Sequence, residues 1–298
     1  MKSINELTIG MVNYNCNPLL LVLSIESVLQ KTYHFSKFFI LDNGSTNGNV
    51  DILNHYANQY DKIEIIYNKQ KGIGASIGKG EGLNILLSLF NTEYGAFVEN
   101  DGFLIKQGWD SYFIEHLLNK NLIIIGCGHP KYINKTVTES LTTFSIFKTV
   151  ELQKLGINFL PKGEGPSFLP GYDTGCELIE KVSPELADIL IFLSSRKDMA
   201  KLFAKCNGVA EFWYHDQPIF AHFGRGTGHS NQLNSNFFSK FKHLLKYFYF
   251  QCLPFTSNKT NAWNYFDTQR KLKEWTTICK QYLDDVNFLN NLQFIEKR

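Results

Sequence analysis

Two acidic stretches stand where strand-like apolar runs end. Residues 38–41 lead into Asp42-Asn43-Gly44-Ser45-Thr46, and residues 95–98 lead into Glu99-Asn100-Asp101-Gly102. Carboxylates at the carboxyl ends of buried strands are where an open α/β sheet builds its ligand site. Glu99 and Asp101 can hold a hard divalent cation, because Mg2+ or Mn2+ takes one or two carboxylates together with oxygens of the ligand. Asp42 can accept hydrogen bonds from a nucleobase or ribose, or it can simply shape a turn, since Asp-Asn-Gly-Ser is good turn chemistry anywhere. Val12-Asn13-Tyr14-Asn15 closes the first strand-like run. Two adjacent strand ends therefore offer an aromatic ring, amides and a carboxylate, with Val12, Tyr14, Asp42 and Asn100 as candidate ligand contacts.

Further chemistry-bearing residues lie along the chain. Gly72-Ile73-Gly74-Ala75-Ser76-Ile77-Gly78-Lys79-Gly80 is not a P-loop, because Gly80 stands where a metal-binding Ser or Thr belongs. It also follows the third strand, not the first, and so fits a dinucleotide fingerprint poorly. It reads either as a loop whose backbone approaches a ligand at Gly72 and Gly74, with Lys79 near a phosphate, or as a glycine-rich helix entry. His222 ends a strand-like run before Phe223-Gly224-Arg225-Gly226. A histidine there can complete a metal site, and Arg225 can pair with a phosphate. His229 and His215 read more readily as structural or surface residues. Asp173 follows a loop rich in Pro and Gly over 161–171. It can cap a helix or serve as a general base; Glu164 in that loop is a weaker candidate for the base.

These side chains need a scaffold, and the pattern supplies one. Strand-like segments at 7–12, 38–41, 63–67, 95–98 and 122–125 alternate with helix-like segments at 17–30, 50–60 and about 82–90. Such alternation predicts an α/β fold with a mostly parallel sheet and helices on both faces. Asn17-Pro18 is a helix start, with Asn as N-cap and Pro in the first turn. Further strands are expected at 142–147, 209–214 and 219–222, and helices at 173–182 and 268–294. The expected division is a domain over 1–231 and a C-terminal helical extension, aromatic and basic, over 232–298.

Bulk properties narrow the class. The chain has 298 residues, 44% hydrophobic and 19% charged, which suits a globular protein with a substantial core. A net charge of +2 gives no argument for a nucleic-acid partner. The six cysteines form no CxxC or Cys/His cluster, which fits reduced thiols in the cytoplasm. The N-terminus shows no apolar secretory core, and no apolar run reaches the roughly 20 residues that span a bilayer. The aromatic and lysine-rich stretch 237–255 is either a packed helix or a peripheral contact with the cytoplasmic face of a membrane.

Taken in order and spacing, Val12-Asn13-Tyr14-Asn15, Leu41-Asp42-Asn43-Gly44-Ser45-Thr46, the 68–82 region, Glu99-Asn100-Asp101 and His222-Phe223-Gly224 resemble the family 2 glycosyltransferases over about residues 7–230. The resemblance implies a GT-A fold and a metal-dependent, inverting transfer of a sugar from a nucleotide-sugar, with UDP foremost. The acceptor would be a glycan, a lipid-linked glycan or a protein, in surface or envelope glycan synthesis. It implies that Tyr14 and Asp42 hold the base and that Glu99 and Asp101 match the family's Asp-x-Asp motif. Asp101 and His222 would bind Mn2+ or Mg2+, with Glu99 facing metal or ribose, and Asp173 would be the base. The first acid is Glu, not Asp, which changes its reach by one methylene. Two rivals stay open: a binding module that has lost catalysis, and a sugar nucleotidyltransferase.

Overall fold

The computed structural model describes residues 6–68, 75–127, 142–162, 174–194, 200–206, 208–224 and 259–283. The amino-terminal half alternates strand and helix as the pattern requires: β1 (Leu7–Asn13), α1 (Pro18–Lys31), β2 (Lys37–Asp42), α2 (Asn49–Gln59), β3 (Ile63–Tyr67), α3 (Ala75–Leu89) and β4 (Tyr94–Val98). The next elements are β5 (Gly102–Leu104), α4 (Trp109–Asn119), β6 (Ile124–Cys127), β7 (Phe144–Lys148), α5 (Thr149–Lys154) and α6 (Cys176–Lys181). The last are β8 (Ala187–Ser194), β9 (Ala210–Tyr214), β10 (Gln217–His222) and α7 (Lys259–Lys280).

The strands form one sheet in the order β3-β2-β1-β4-β7-β6-β8-β9-β10-β5. Its first four strands are parallel. β7 runs antiparallel to both β4 and β6, and the run β8-β9-β10-β5 is antiparallel throughout. The expected parallel arrangement thus holds for the half that precedes β4, and the sheet is mixed beyond it. The reason is connectivity: helical crossovers link the early strands, whereas β9 and β10 are joined by a tight hairpin at His215-Asp216. Both of those residues have positive φ, 45° and 61°.

Every residue of β4 is buried, as befits a strand with layers on both faces. Successive residues feed different cores: Ala96 and Val98 pack in one apolar cluster with α1, α2 and α4, and Phe97 in another with α3, Leu152 and Leu178. α1 begins where the Asn17-Pro18 pair predicts, with the Asn17 carboxamide oxygen accepting from the amides of Leu19 (3.0 Å) and Leu20 (3.4 Å). β5, α4, α5 and β8 are not among the elements that the sequence pattern predicts. β5 is three residues long, and β8 carries Asp188 amid its apolar residues, where its carboxylate accepts from the Tyr214 hydroxyl at 2.6 Å. The polar helix expected at 268–294 is α7, and residues beyond 283 lie outside the described part, as does the 237–255 stretch. α7 is not wholly polar: Trp275 and Cys279, with Leu283 just past its end, belong to the same core cluster as β1 and β4.

The glycine-rich stretch decides between its two readings from Ala75 onward: it is a helix, and its glycines serve close packing. A Cβ on Gly82 would lie 2.8 Å from Val12, and one on Gly80 would lie 2.7 Å from the carbonyl oxygen of Phe159. α3 therefore rests directly on the end of β1 and on the backbone at 159–160. Gly72 and Gly74 lie outside the described residues. Gly78 has no such constraint, since its Cβ would find only the Asn43 amide nitrogen at 3.5 Å.

This contrast is testable by thermal denaturation. Gly80→Ala should destabilise by about 1–3 kcal/mol, because backbone cannot move aside as a side chain can. Gly78→Ala should be neutral or stabilising by up to about 1 kcal/mol, from helix propensity alone. Equal shifts for both would reject the packing account.

Candidate active site

The acidic stretch after β4 is held from several sides. The Glu99 amide donates to the Thr143 carbonyl (3.1 Å), and the Glu99 carbonyl accepts from the Gly102 amide (3.0 Å) and the Ser24 hydroxyl (2.9 Å). Gly102 then starts β5, which pairs antiparallel with β10 so that Gly102 stands opposite His222. No other residue fits there, because a Cβ on Gly102 would sit 2.1 Å from the Phe220 ring. The Phe223 amide donates to the Asp101 carbonyl at 3.0 Å and ties the two segments again.

That pairing assembles a three-residue cluster. His222 Nε2 lies 2.6 Å from Glu99 Oε2 and 3.0 Å from Asp101 Oδ1, and the Lys79 ammonium from α3 pairs with Glu99 Oε1. The ligand atoms of Glu99, Asp101 and His222 all lie within 4.8 Å of one another. Two carboxylates and an imidazole at that spacing suit a divalent cation. Burial alone would raise the Glu99 pKa, yet the Lys79 ammonium and the His222 imidazolium hold it well below the carboxylate range. Burial likewise opposes charge on His222, but Asp101 and Glu99 push its pKa up to about 10. At neutral pH two positive side chains thus balance the acids in the metal-free protein. Cys16 lies beneath, its thiol donating to the Asn100 carbonyl at 3.4 Å. Burial pushes that thiol well up, with Asp101 adding to the effect, so it is no nucleophile at neutral pH.

A second network frames the neighbouring strand ends. The β1–β2 register sets Asn13 beside Asp42. Asn13 is fully buried; its amide donates to Asp42 Oδ1 at 2.7 Å, and its oxygen accepts from the Asn100 amide at 2.9 Å. Asp42 also accepts from the Ser45 hydroxyl (2.6 Å) and from the amides of Ser45 (2.8 Å) and Gly44 (3.2 Å). Its carboxylate is fully buried, so in this state it shapes the turn. Tyr14, 38% exposed, is the open side of this edge, and Val12 packs against α3.

The structure therefore brings Lys79, Glu99, Asn100, Asp101 and His222 together and places Val12, Tyr14 and Asp42 at the adjoining strand ends. Gly72, Gly74, Asp173 and Arg225 lie outside the described residues, as do Glu164 and His229. His215 is exposed at the hairpin turn, as a surface residue would be. Two contributors have partners that the sequence does not show. Asn13 is the hub joining three strand ends, and Ser24 braces Glu99. The available signal for Ser24 was a hydroxyl inside a helix whose neighbours are almost all apolar.

The chain matches the family description "Glycosyl transferase family 2" over residues 8–167, more than half its length. Among curated proteins it is 28% identical over 101 residues to "Uncharacterized glycosyltransferase YibD" of Escherichia coli (strain K12), covering 34% of this chain and 27% of that protein. The chain thus spans about a quarter of the length of that relative. Among solved structures it is similar to a mannosyltransferase, PcManGT, from Pyrobaculum calidifontis in complex with GDP-Man and Mn2+, with a TM-score of 0.45 and 15% identity over 61% of this chain and 54% of that one. It is also similar to S. aureus TarS 1-349 in complex with UDP, with a TM-score of 0.44 and 14% identity over 93% and 91% of the two chains.

The charge balance predicts a pH signature in metal-free protein. The stabilisation from a raised His222 is complete below its ordinary 6.5 and is lost as pH rises through about 10. That from a depressed Glu99 is present above its ordinary 4.5 and is lost as pH falls toward the lower folded value. The Tm gap between wild type and His222→Gln, measured in chelator, should be largest near pH 5–6.5 and close toward pH 10. A gap that stays flat across this range would reject the ionic account.

Proposed function

Because the chain belongs to glycosyl transferase family 2, we propose that this site transfers a sugar from a nucleotide-sugar to an acceptor hydroxyl, with a divalent cation held by Asp101, His222 and Glu99. The observation that carries the reading is the convergence of those three side chains from two distant parts of the chain. Mn2+ or Mg2+ bound there supplies Lewis-acid neutralisation of the diphosphate as negative charge builds on the leaving nucleotide.

The chain's own residues do the rest. Lys79 carries a positive charge on the α3 side of the cluster, where it adds to stabilisation of the diphosphate; Arg225 does the same from the segment after β10. The Asn13–Asp42–Ser45 network fixes the walls of the nucleoside pocket, and Tyr14 offers its ring to the base. Asn100 links the two halves through its bond to Asn13. Gly72 and Gly74, just before α3, let backbone lie close to the donor. Asp173 removes the proton from the acceptor hydroxyl, which attacks the anomeric carbon in line and inverts it. In support, its chain neighbour Thr174 donates to the Ser76 carbonyl (2.8 Å) at the first turn of the helix that carries Lys79. A UDP-sugar is the donor proposed, and a glycan, lipid-linked glycan or protein of envelope synthesis the acceptor. The proposed setting is the cytoplasm or the cytoplasmic face of a membrane, where 237–255 would make the contact. Among the described residues no helix is long and apolar enough to cross a membrane.

Donor hydrolysis and transfer, assayed over a panel of nucleotide-sugars, should vanish in chelator and return with Mn2+. Asp101→Ala should fall to roughly 1% of wild type or less, the scale lost when a charge-stabilising group is removed. Metal-independent turnover of Asp101→Ala at the wild-type rate would sink the proposal. Asp173→Asn should bind donor as wild type does yet lose transfer; full activity would turn attention to Glu164.

A further inference from the structure

The metal side of the site rests on a helix far from it in sequence. α7 turns Thr268, Lys271, Trp275 and Cys279 inward, a stripe with helical spacing. Trp275 is fully buried and lies against rings from three segments: Phe203 (4.7 Å between centroids), Phe223 (5.5 Å) and Phe103 (6.4 Å). Phe103 belongs to β5 and Phe223 follows β10, so the indole packs across the two strands that bring Asp101 and His222 together. Phe203 is itself fixed, because the buried Glu211 carboxylate accepts from the amides of Lys201 (3.1 Å), Leu202 (2.8 Å) and Phe203 (2.5 Å).

Lys271 makes the contact nearest the cluster. It is 8% exposed, its ammonium donates to the Phe223 carbonyl, and it lies 4.0 Å from the centre of the Phe223 ring. Phe223 directly follows His222, and its amide holds the Asp101 carbonyl. One residue is thus gripped on its carbonyl side by α7 and on its amide side by the segment that carries Asp101. A buried ammonium is costly where apolar packing alone would serve. Residues behind metal ligands set ligand orientation and with it metal affinity.

We propose that α7 is a positioning element for the metal site and that Lys271 is the residue through which it acts. It holds Phe223, and thereby the spacing of His222 and Asp101, without touching substrate. The inference rests on the metal reading given above.

The test measures Mn2+ binding through the free-ion electron paramagnetic resonance signal, alongside amide hydrogen exchange and Tm. Wild type should bind Mn2+ and Asp101→Asn should not. Lys271→Met should weaken Mn2+ binding by about 10-fold or more and speed exchange of the Phe223 amide, while amides of β1 to β4 stay protected. Lys271→Arg, which keeps a donor, should restore most of the affinity. Leu283→Ala, a core residue in the turn just past the end of α7, should lower Tm and leave Mn2+ affinity unchanged. Wild-type Mn2+ affinity in Lys271→Met would overturn the positioning role, whatever its Tm. Should that variant fail to fold, Lys271→Gln takes its place under the same criterion. No Mn2+ binding by wild type would instead overturn the metal reading, and the positioning inference with it.

Discussion

The antiparallel pairing of β5 with β10 is the constraint on which the site depends. It is only a few residues long, yet it forms one edge of the sheet and sets Gly102 opposite His222. Gly102 accepts the Phe220 ring where any side chain would collide. The outcome is an imidazole 2.6 and 3.0 Å from two carboxylates that precede it by more than a hundred residues. Bringing two partly buried carboxylates together is unfavourable unless positive charge accompanies them. Here it comes from His222 and from Lys79, and the same cluster that would hold a metal is ionically balanced without one.

The two halves of the sheet contribute differently. The parallel half ends in amides and a turn: Asn13, Asp42, Ser45 and Asn100 bond to one another and leave Tyr14 as the open ring. The mixed half contributes His222 and the supports behind it. Asn100 and the Glu99 carbonyl are where the halves meet, one bonded to Asn13 and the other to Ser24 of α1. Strand ends are otherwise frayed, with unpaired backbone groups; these side chains occupy that role and make the edge rigid enough to present a ligand site.

α3 illustrates how packing and charge share one element. Gly82 and Gly80 let it lie on Val12 and on the backbone at 159–160, and Lys79, next to Gly80, reaches Glu99 from the helix so placed. The opposite edge of the site has a corresponding support in α7, whose aromatic and lysine contacts fall on the residues flanking His222. Helices thus pack against this cluster of strand ends from both sides.

Much of this was legible in the residues. The parallel strands, the Asn17-Pro18 helix start and the nearness of Glu99 to Asp101 follow from local pattern: apolar runs, turn chemistry and acids at strand ends; that Lys79 and His222 meet them does not. β5 is not legible because three residues carry no periodicity, and β8 because a short apolar run such as 189–193 fits a strand or a buried helix equally well. Asn13 and Ser24 were hidden for a related reason, since one polar residue beside a turn or in a helix announces no partner. The glycines after β3 fitted loop or helix equally well, because glycine's local preferences do not reveal what it must lie against. What the sequence by itself determined was the inventory: which carboxylates, imidazole and ammonium exist, and that strand ends would carry the acids. What only the tertiary structure decided was which of them meet. That depends on strand register and helix docking between residues far apart in the chain, and these contacts form only when the distant strands of the sheet pair.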